Sequence, residues 1–596
     1  MTRMIYTYLT AFIFGLIFVG YHTFLLSQSL GVEIASAREV KEDFRWDMLV
    51  GHRKLKWQDC YESQFQCARL LVPLNHSDPE GDQAGIALIR KRATVAPPHY
   101  RGPVLFNPGG PGESGVDLVR SAGELFSKIL GPQFDIVGFD PRGVARSLPR
   151  VSSFKTELER ELWYNSAGLI TRECVRRAWA RSHVLGKLAA ENDDGYLRHI
   201  NTDQTARDML LIVEAHGQTK LQYWGFSYGS ILGATFAAMF PDKIERLLID
   251  GVADAENYYA TLWSNNLEDT DKAMDHFHSG CASAGPDGCA FWAPTPEDVK
   301  KNLTALYDNI RHQPVSVRRK SRYGIVDYKT LHSAIFDSLY TPYTSFPKLA
   351  EGLAALTTGD GSIIFDMVNP KPPFECECSL PERPSVAKVE DGTIAILCND
   401  GEDVPHDLES TKKYVEELTK SSRWGDLWAR IRMDCVGWPR IPKDHFQGPF
   451  DANTSHPIML IGNTADPVTP LRLAHKMSAN FPGSAVLTQN SVGHCSIAAP
   501  SICTMKHVED YFVNGNLPKH GTVCQPETGP FPGPLDIISG DDKGQISLHP
   551  MSEREKEIYD AVMDFIKAPA HVMMQMPGPL ALPRRLSKPD SNCSKE

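Results

Sequence analysis

The sequence predicts an α/β fold: a mostly parallel, doubly wound sheet with a large, mainly helical cap inserted into it. Three observations carry this expectation. Short continuous apolar runs recur before residue 255 and again after 455, as strands buried on both faces do. Helical patterns such as 205–216 and 230–240 separate those runs, and strands alternating with helices build parallel sheets. Between about 255 and 450 the strand-like runs give way to helical patterns.

At the N-terminus, residues 1–40 hold no Asp, Glu, Lys or Arg between Arg3 and Glu33. The apolar run 9–26 reaches the ~20 residues of a membrane span rather than the ~7–15 of a secretory h-region. Tyr6, Tyr8 and Tyr21 suit its interfaces. Ala35-Ser36-Ala37 is a small-x-small cleavage site. Two expectations stand, an uncleaved signal anchor that holds the chain on the membrane or a cleaved signal peptide. Either sends everything after residue 40 into the secretory lumen.

From 41 to 254 the pattern predicts the first part of the α/β core. Segments 67–74 and 85–90 form an opening hairpin, followed by strands at 103–106, 134–140, 221–225 and 247–250. The cap, 255–450, shows helical patterns at 299–310, 328–339 and 411–418. The second part of the core, 451–566, adds strands at 457–462 and 485–488, and 567–596 is expected to be a disordered tail.

Composition excludes several classes. The chain of 596 residues is 42% hydrophobic and 23% charged, which is globular rather than disordered. A net charge of −11 without a basic block argues against a nucleic-acid partner. The 13 cysteines suit an oxidising compartment. Cys60/Cys67 and Cys281/Cys289 are spaced for small disulfide loops, Cys503/Cys524 for another, and the odd count leaves at least one thiol over. Cys376 and Cys378 lack a second close ligand pair and no His-Glu-x-x-His occurs, so no metal is expected. Glycosylation sequons at Asn75, Asn302, Asn453 and Asn592 agree with secretion.

The chemistry centres on Gly225-Phe226-Ser227-Tyr228-Gly229, between a strand and a helix. Gly-x-Ser-x-Gly in that context is a nucleophile elbow, a turn so tight that glycines must flank the serine. A serine nucleophile needs a base, an orienting acid and oxyanion donors. His494 follows strand 485–488 by a short loop and is the expected base; His475 falls within a helical pattern and His520 lies far beyond. Asp466, after strand 457–462, is the expected acid, with Asp250 at the end of strand 247–250 as its rival. The expected oxyanion donors are the amides of Tyr228 and Gly110, the latter in Asn107-Pro-Gly-Gly-Pro-Gly-Glu-Ser-Gly115. A phosphate loop would want Gly-Lys-Ser/Thr after these glycines, and none follows. The apparatus needs no cofactor.

Further stretches stand in a consistent order: Trp57-Gln-Asp-Cys60, Asp140-Pro-Arg-Gly143, Phe240-Pro-Asp242, Asp250-Gly-Val252, Asp466-Pro-Val-Thr-Pro470, Gly493-His-Cys495, Gly515-Asn-Leu-Pro518 and Gly521-Thr-Val-Cys524. With the elbow and the Gly-rich loop, they make residues 57–530 resemble the tripeptidyl aminopeptidase branch of the prolyl-aminopeptidase-like serine peptidases, which have the α/β-hydrolase fold. The resemblance implies an extracytoplasmic exopeptidase with Ser227, Asp466 and His494 as its triad. One departure is Ala145, where the family pattern after Asp140 has glycine. In relatives, the carboxylates that hold the substrate's amino terminus lie in the cap. Its acidic residues here include Asp254, Glu256, Glu268 and Asp269. The expected substrate is a peptide or an ester. A secreted or membrane-anchored esterase or lipase is the rival reading, since the same apparatus cleaves esters. A non-enzymatic interaction domain would have no use for all three triad residues.

Overall fold

The structure is a computed structural model that describes residues 44–61, 64–166, 168–172, 174–319, 322–368, 389–531 and 551–567. These belong to two units, divided between Met48 and Leu49. In the first, the described part is a single 3-10 turn, Trp46–Met48. The anticipated signal segment 1–40, the tail beyond Lys567, and Cys376, Cys378 and Cys593 lie outside the described residues. Among the described residues, no helix is long and apolar enough to cross a membrane.

The described residues of the second unit form twelve strands: β1 (Gln58–Cys60), β2 (Phe65–Pro73), β3 (Gln83–Lys91), β4 (Pro103–Asn107), β5 (Asp135–Phe139), β6 (Leu221–Phe226), β7 (Ile244–Asp250), β8 (Val315–Arg319), β9 (Arg322–Val326), β10 (Met459–Ala465), β11 (Ala485–Val492) and β12 (Val523–Cys524). Ten of them form one sheet in the order β1-β2-β3-β5-β4-β6-β7-β10-β11-β12. Pairings from β1 to the β3–β5 contact are antiparallel. From β5 to β12 every pairing is parallel. The α/β class and the mostly parallel sheet are therefore as expected. Every residue of β4, β5 and β6 is buried, which is why these strands show as continuous apolar runs.

The chain leaves β4 through helix Gly115–Leu130 towards β5 and leaves β6 through helix Tyr228–Met239 towards β7. Right-handed crossovers running in opposite directions put these helices on opposite faces of the sheet. They also open a crevice at the C-terminal ends of β4 and β6, where the strand order reverses. Helix Glu553–Lys567, which the periodicity left unnoticed, packs on Gly115–Leu130. Its Arg554 guanidinium donates to the Ile129 carbonyl at 3.3 Å.

Within 255–450 helices predominate, but β8 and β9 form a separate antiparallel hairpin there. Helices from earlier in the chain join this layer. Helix Val175–Glu191 meets the 406–437 region, where the Trp179 indole donates to the His406 carbonyl. A side chain on Gly437 would lie 2.5 Å from the His183 amide nitrogen, so the two backbones touch directly.

Among the described residues four disulfides close: Cys60–Cys67, Cys281–Cys289, Cys503–Cys524 and Cys398–Cys435. Their spacing marked the first three. The fourth joins residues 37 apart, brought together by cap packing. Each such link is worth about 2–4 kcal/mol, and the set suits an extracellular or otherwise oxidising environment. Cys495 is a buried thiol.

The stretch after Asp140 is explained by burial. Arg142 is fully buried and its guanidinium is bidentate to Asp208 at 2.6 and 2.8 Å, with carbonyls of Pro73 and Leu74 taking further N–H groups. It ties the opening hairpin to helix Thr202–Ala215. Ala145 sits at φ 42 in a buried loop. That is the region where glycine is unstrained and an L-residue costs about 1–2 kcal/mol, which accounts for the glycine of the family pattern.

Candidate active site

The register of the central sheet sets Asn107 of β4 beside Gly225 of β6. The Gly-rich loop and the serine turn therefore leave neighbouring strand ends. Ser227 has φ 56 and ψ −120, a strained conformation for a non-glycine residue, costing about 1–3 kcal/mol. Its amide donates to the Asp250 carbonyl at 2.9 Å, and its carbonyl accepts from the Ser230 amide at 2.8 Å. The side chain makes no capping bond to the helix it precedes, which leaves the hydroxyl available. A side chain on Gly229 would lie 2.8 Å from the Asn107 carbonyl oxygen, and one on Gly109 (φ 107) 2.8 Å from Ser227 Cβ. Glycine at both positions lets the two loops touch.

Asp140 holds the far end of the Gly-rich loop. Its carboxylate accepts from Ser114 Oγ at 2.5 Å and from the amides of Val116 and Arg146. Ser114 in turn caps helix Gly115–Leu130. Tyr228 is pinned from behind through its hydroxyl, which bonds Thr202 Oγ1. Thr202 and Tyr258 both donate to Asp400, each at 2.6 Å. Asp400 ends the cap helix Val389–Asp400.

Asp466 follows β10 and is wholly buried. It accepts from the amides of Val468, Thr469 and Cys495 at 2.9–3.0 Å. His494 Nδ1 lies 3.0 Å from both of its oxygens. Burial pushes the Asp466 carboxyl up, but the charge and hydrogen bond of His494 and the backbone amides outweigh it and hold the group below the usual carboxylate range. The His494 amide donates to the Tyr340 carbonyl at 2.9 Å, and the two rings meet edge to face at 5.2 Å. Asp250 is engaged elsewhere: it accepts from the Ser496 amide and hydroxyl at 2.8 and 2.5 Å and from the Trp224 indole at 3.4 Å. Burial raises its carboxyl to about 6.

Ser227, Tyr228, Gly110 and His494 line one narrow cavity, with Asp466 behind the histidine. Its apolar walls include Ile231, Trp263 and Trp428. A family model described as alpha/beta hydrolase fold matches residues 102–285, and one described as TAP-like protein matches 420–524. The chain is a serine hydrolase of the α/β-hydrolase fold. It resembles the tripeptidyl aminopeptidase branch. The hydrolase is 25% identical to the tripeptidyl aminopeptidase of Streptomyces coelicolor over 85% of this chain and 90% of that one. It is 24% identical to serine protease Hip1 of Mycobacterium tuberculosis over 79% and 91% of the two chains. To carboxylesterase B of the same species it is 25% identical, over 79% and 90%.

Two groups of potential metal ligands converge among the described residues of the hydrolase. In Cys503, His507 and Cys524 both sulfurs are in a disulfide. In Asp466, His494 and Cys495 the carboxylate is already filled with hydrogen bonds, and burial pushes the thiol up, away from the thiolate a metal needs.

The four cap carboxylates named from the sequence stay away from the cavity. Asp254 and Glu256 share Lys476, Glu268 pairs with Arg472, and Asp269 precedes helix Thr270–Gly288. The cavity instead holds Glu113, Asn266 and Tyr340, polar side chains to which the motifs assigned no part. Glu113 stood in plain view inside the Gly-rich loop. Tyr340 has no sequence signal, because its place depends on how a cap helix end folds over the sheet.

Proposed function

We propose that the hydrolase is an exopeptidase that removes residues or short peptides from free amino termini through an acyl-enzyme. The observation that carries the reading is His494 Nδ1 lying across both oxygens of buried Asp466 while the ring and the Ser227 turn line one cavity. In this mechanism His494 takes the Ser227 proton as the hydroxyl attacks the scissile carbonyl. Asp466 holds the imidazole orientation and stabilises its cation. The amides of Tyr228 and Gly110 donate to the oxyanion, each worth about 3–4 kcal/mol. His494 then protonates the leaving amine, and water, deprotonated by the same ring, releases the acyl group.

Peptide substrates are supported by the names of the aminopeptidase and protease relatives. The carboxylesterase relative keeps ester hydrolysis as the competing reading. Short peptides with a free amino terminus are expected to be cleaved and their N-acetylated counterparts cleaved far more slowly. Turnover of both peptides by the purified protein measures this. Equal rates, or reaction with esters alone, would replace the exopeptidase with an esterase.

The four disulfides and the apolar run 9–26 support a catalytic domain that is luminal or extracellular, on the membrane if residues 1–40 are retained. The protein is then expected to sediment with membranes and resist added protease in intact microsomes. A mature chain beginning at Arg38 would identify a cleaved signal peptide. Digestion in intact microsomes would overturn the luminal placement.

A further inference from the structure

Among the described residues, Glu113 is the only acidic side chain lining the cavity. Its position is imposed from both sides. The preceding Gly112 lies against the cap helix at Thr393, whose hydroxyl donates to the Pro111 carbonyl at 2.6 Å, and the following Ser114 is locked onto Asp140. Glu113 Cγ lies 3.3 Å from where a side chain on Gly110 would begin, so the carboxyl stands beside the proposed oxyanion donor.

Several buried carboxylates elsewhere are answered by arginine, as Asp208 is by Arg142, Asp391 by Arg160 and Asp140 by Arg146, or by hydrogen-bond donors, as Asp250 is by Ser496 and Asp400 by Thr202 and Tyr258. Glu113 has no such partner among the described residues, and burial alone pushes its carboxyl up to about 8. Glu113 is partly buried, and withdrawing an acid from water without a countercharge is costly; one inside a cleft is a candidate for function. A second group in the same cavity points the same way. The Tyr340 hydroxyl is buried, on a residue 2% exposed, and has no hydrogen-bond partner.

We propose that Glu113 is the anchor for the substrate's free α-ammonium group, with the Tyr340 hydroxyl accepting another of its N–H donors. Selection for a charged amino terminus then comes from the loop that also carries the oxyanion donor, rather than from the cap acids. An ammonium supplies the missing countercharge and has donors for both side chains. An acetylated terminus brings neither the charge nor enough N–H groups. This inference rests on the exopeptidase reading and adds the group that recognises the amine.

The test compares kcat/KM for alanyl, dialanyl and trialanyl p-nitroanilides with that for their N-acetylated forms, in the full-length protein. Glu113→Gln is expected to lower the free-to-acetylated ratio about 30-fold or more, the scale seen when a buried charge pair loses one member. Glu113→Asp should fall between the two, and Tyr340→Phe should lower the ratio by a smaller factor. An unchanged ratio in Glu113→Gln, including equal losses on both substrates, overturns the inference while leaving the exopeptidase reading intact. A wild-type ratio near one overturns both. Circular dichroism melting checks folding, and if the Gln variant does not fold, the ratio in Glu113→Asp decides in its place.

Discussion

Ser227→Ala is expected to abolish turnover of peptides and esters alike, by about a million-fold in kcat, the loss found when a serine hydrolase is deprived of its nucleophile. The size follows from the chemistry: without the hydroxyl there is no acyl-enzyme, and only the oxyanion donors and binding remain. The fold should be untouched. The Ser227 side chain makes no capping bond, and the turn is held by backbone bonds to Asp250 and Ser230 that alanine keeps. Single-turnover kinetics and melting curves measure the two effects. A phosphonate reagent should label the wild type at Ser227 and leave the variant unlabelled. Activity retained in the variant would remove Ser227 from the mechanism.

Asp466→Asn is expected to cost about four orders of magnitude in kcat, because an amide facing Nδ1 favours the wrong imidazole tautomer. Asp250→Asn should act differently. Its oxygens accept from the Ser496 amide and hydroxyl and from the Trp224 indole. The substituted NH2 would meet a donor there, a stability loss of about 1–3 kcal/mol with kcat largely kept. The reverse ranking would transfer the acid's role to Asp250.

The two carboxyls also pull stability in opposite directions with pH. Asp466 is held below its unfolded value, so its contribution is present above that value and is lost as pH falls through the lower folded one. Asp250 is raised to about 6, so its contribution is full below the unfolded value near ~3.9 and declines as pH rises through about 6. Melting temperature against pH for the two Asn variants reads these slopes separately.

Much of this was written in local patterns. Continuous apolar runs revealed β4, β5 and β6 because those strands are buried on both faces. The serine turn was legible because its glycines answer a steric demand within five residues. Short disulfide loops were legible because their geometry is local. The edge strands β1 and β12, of three and two residues, are too short to show a period. The β8–β9 hairpin has exposed, charged positions that break the apolar run.

The sequence by itself determined the class of sheet and the tight Gly-x-Ser-x-Gly turn that carries Ser227. Only the tertiary structure decided which aspartate faces His494, that Cys398 meets Cys435, and that the acid in the cavity is Glu113 rather than one from the cap. The physical reason is range. A turn or a buried strand is imposed by a few adjacent residues, whereas a carboxylate's partner is chosen by separate segments, 28 residues apart for Asp466 and His494 and 246 apart for Asp250 and Ser496. Asp250 ends β7, Asp466 directly follows β10, and both are fully buried. What separates them is the loop each one meets across the sheet.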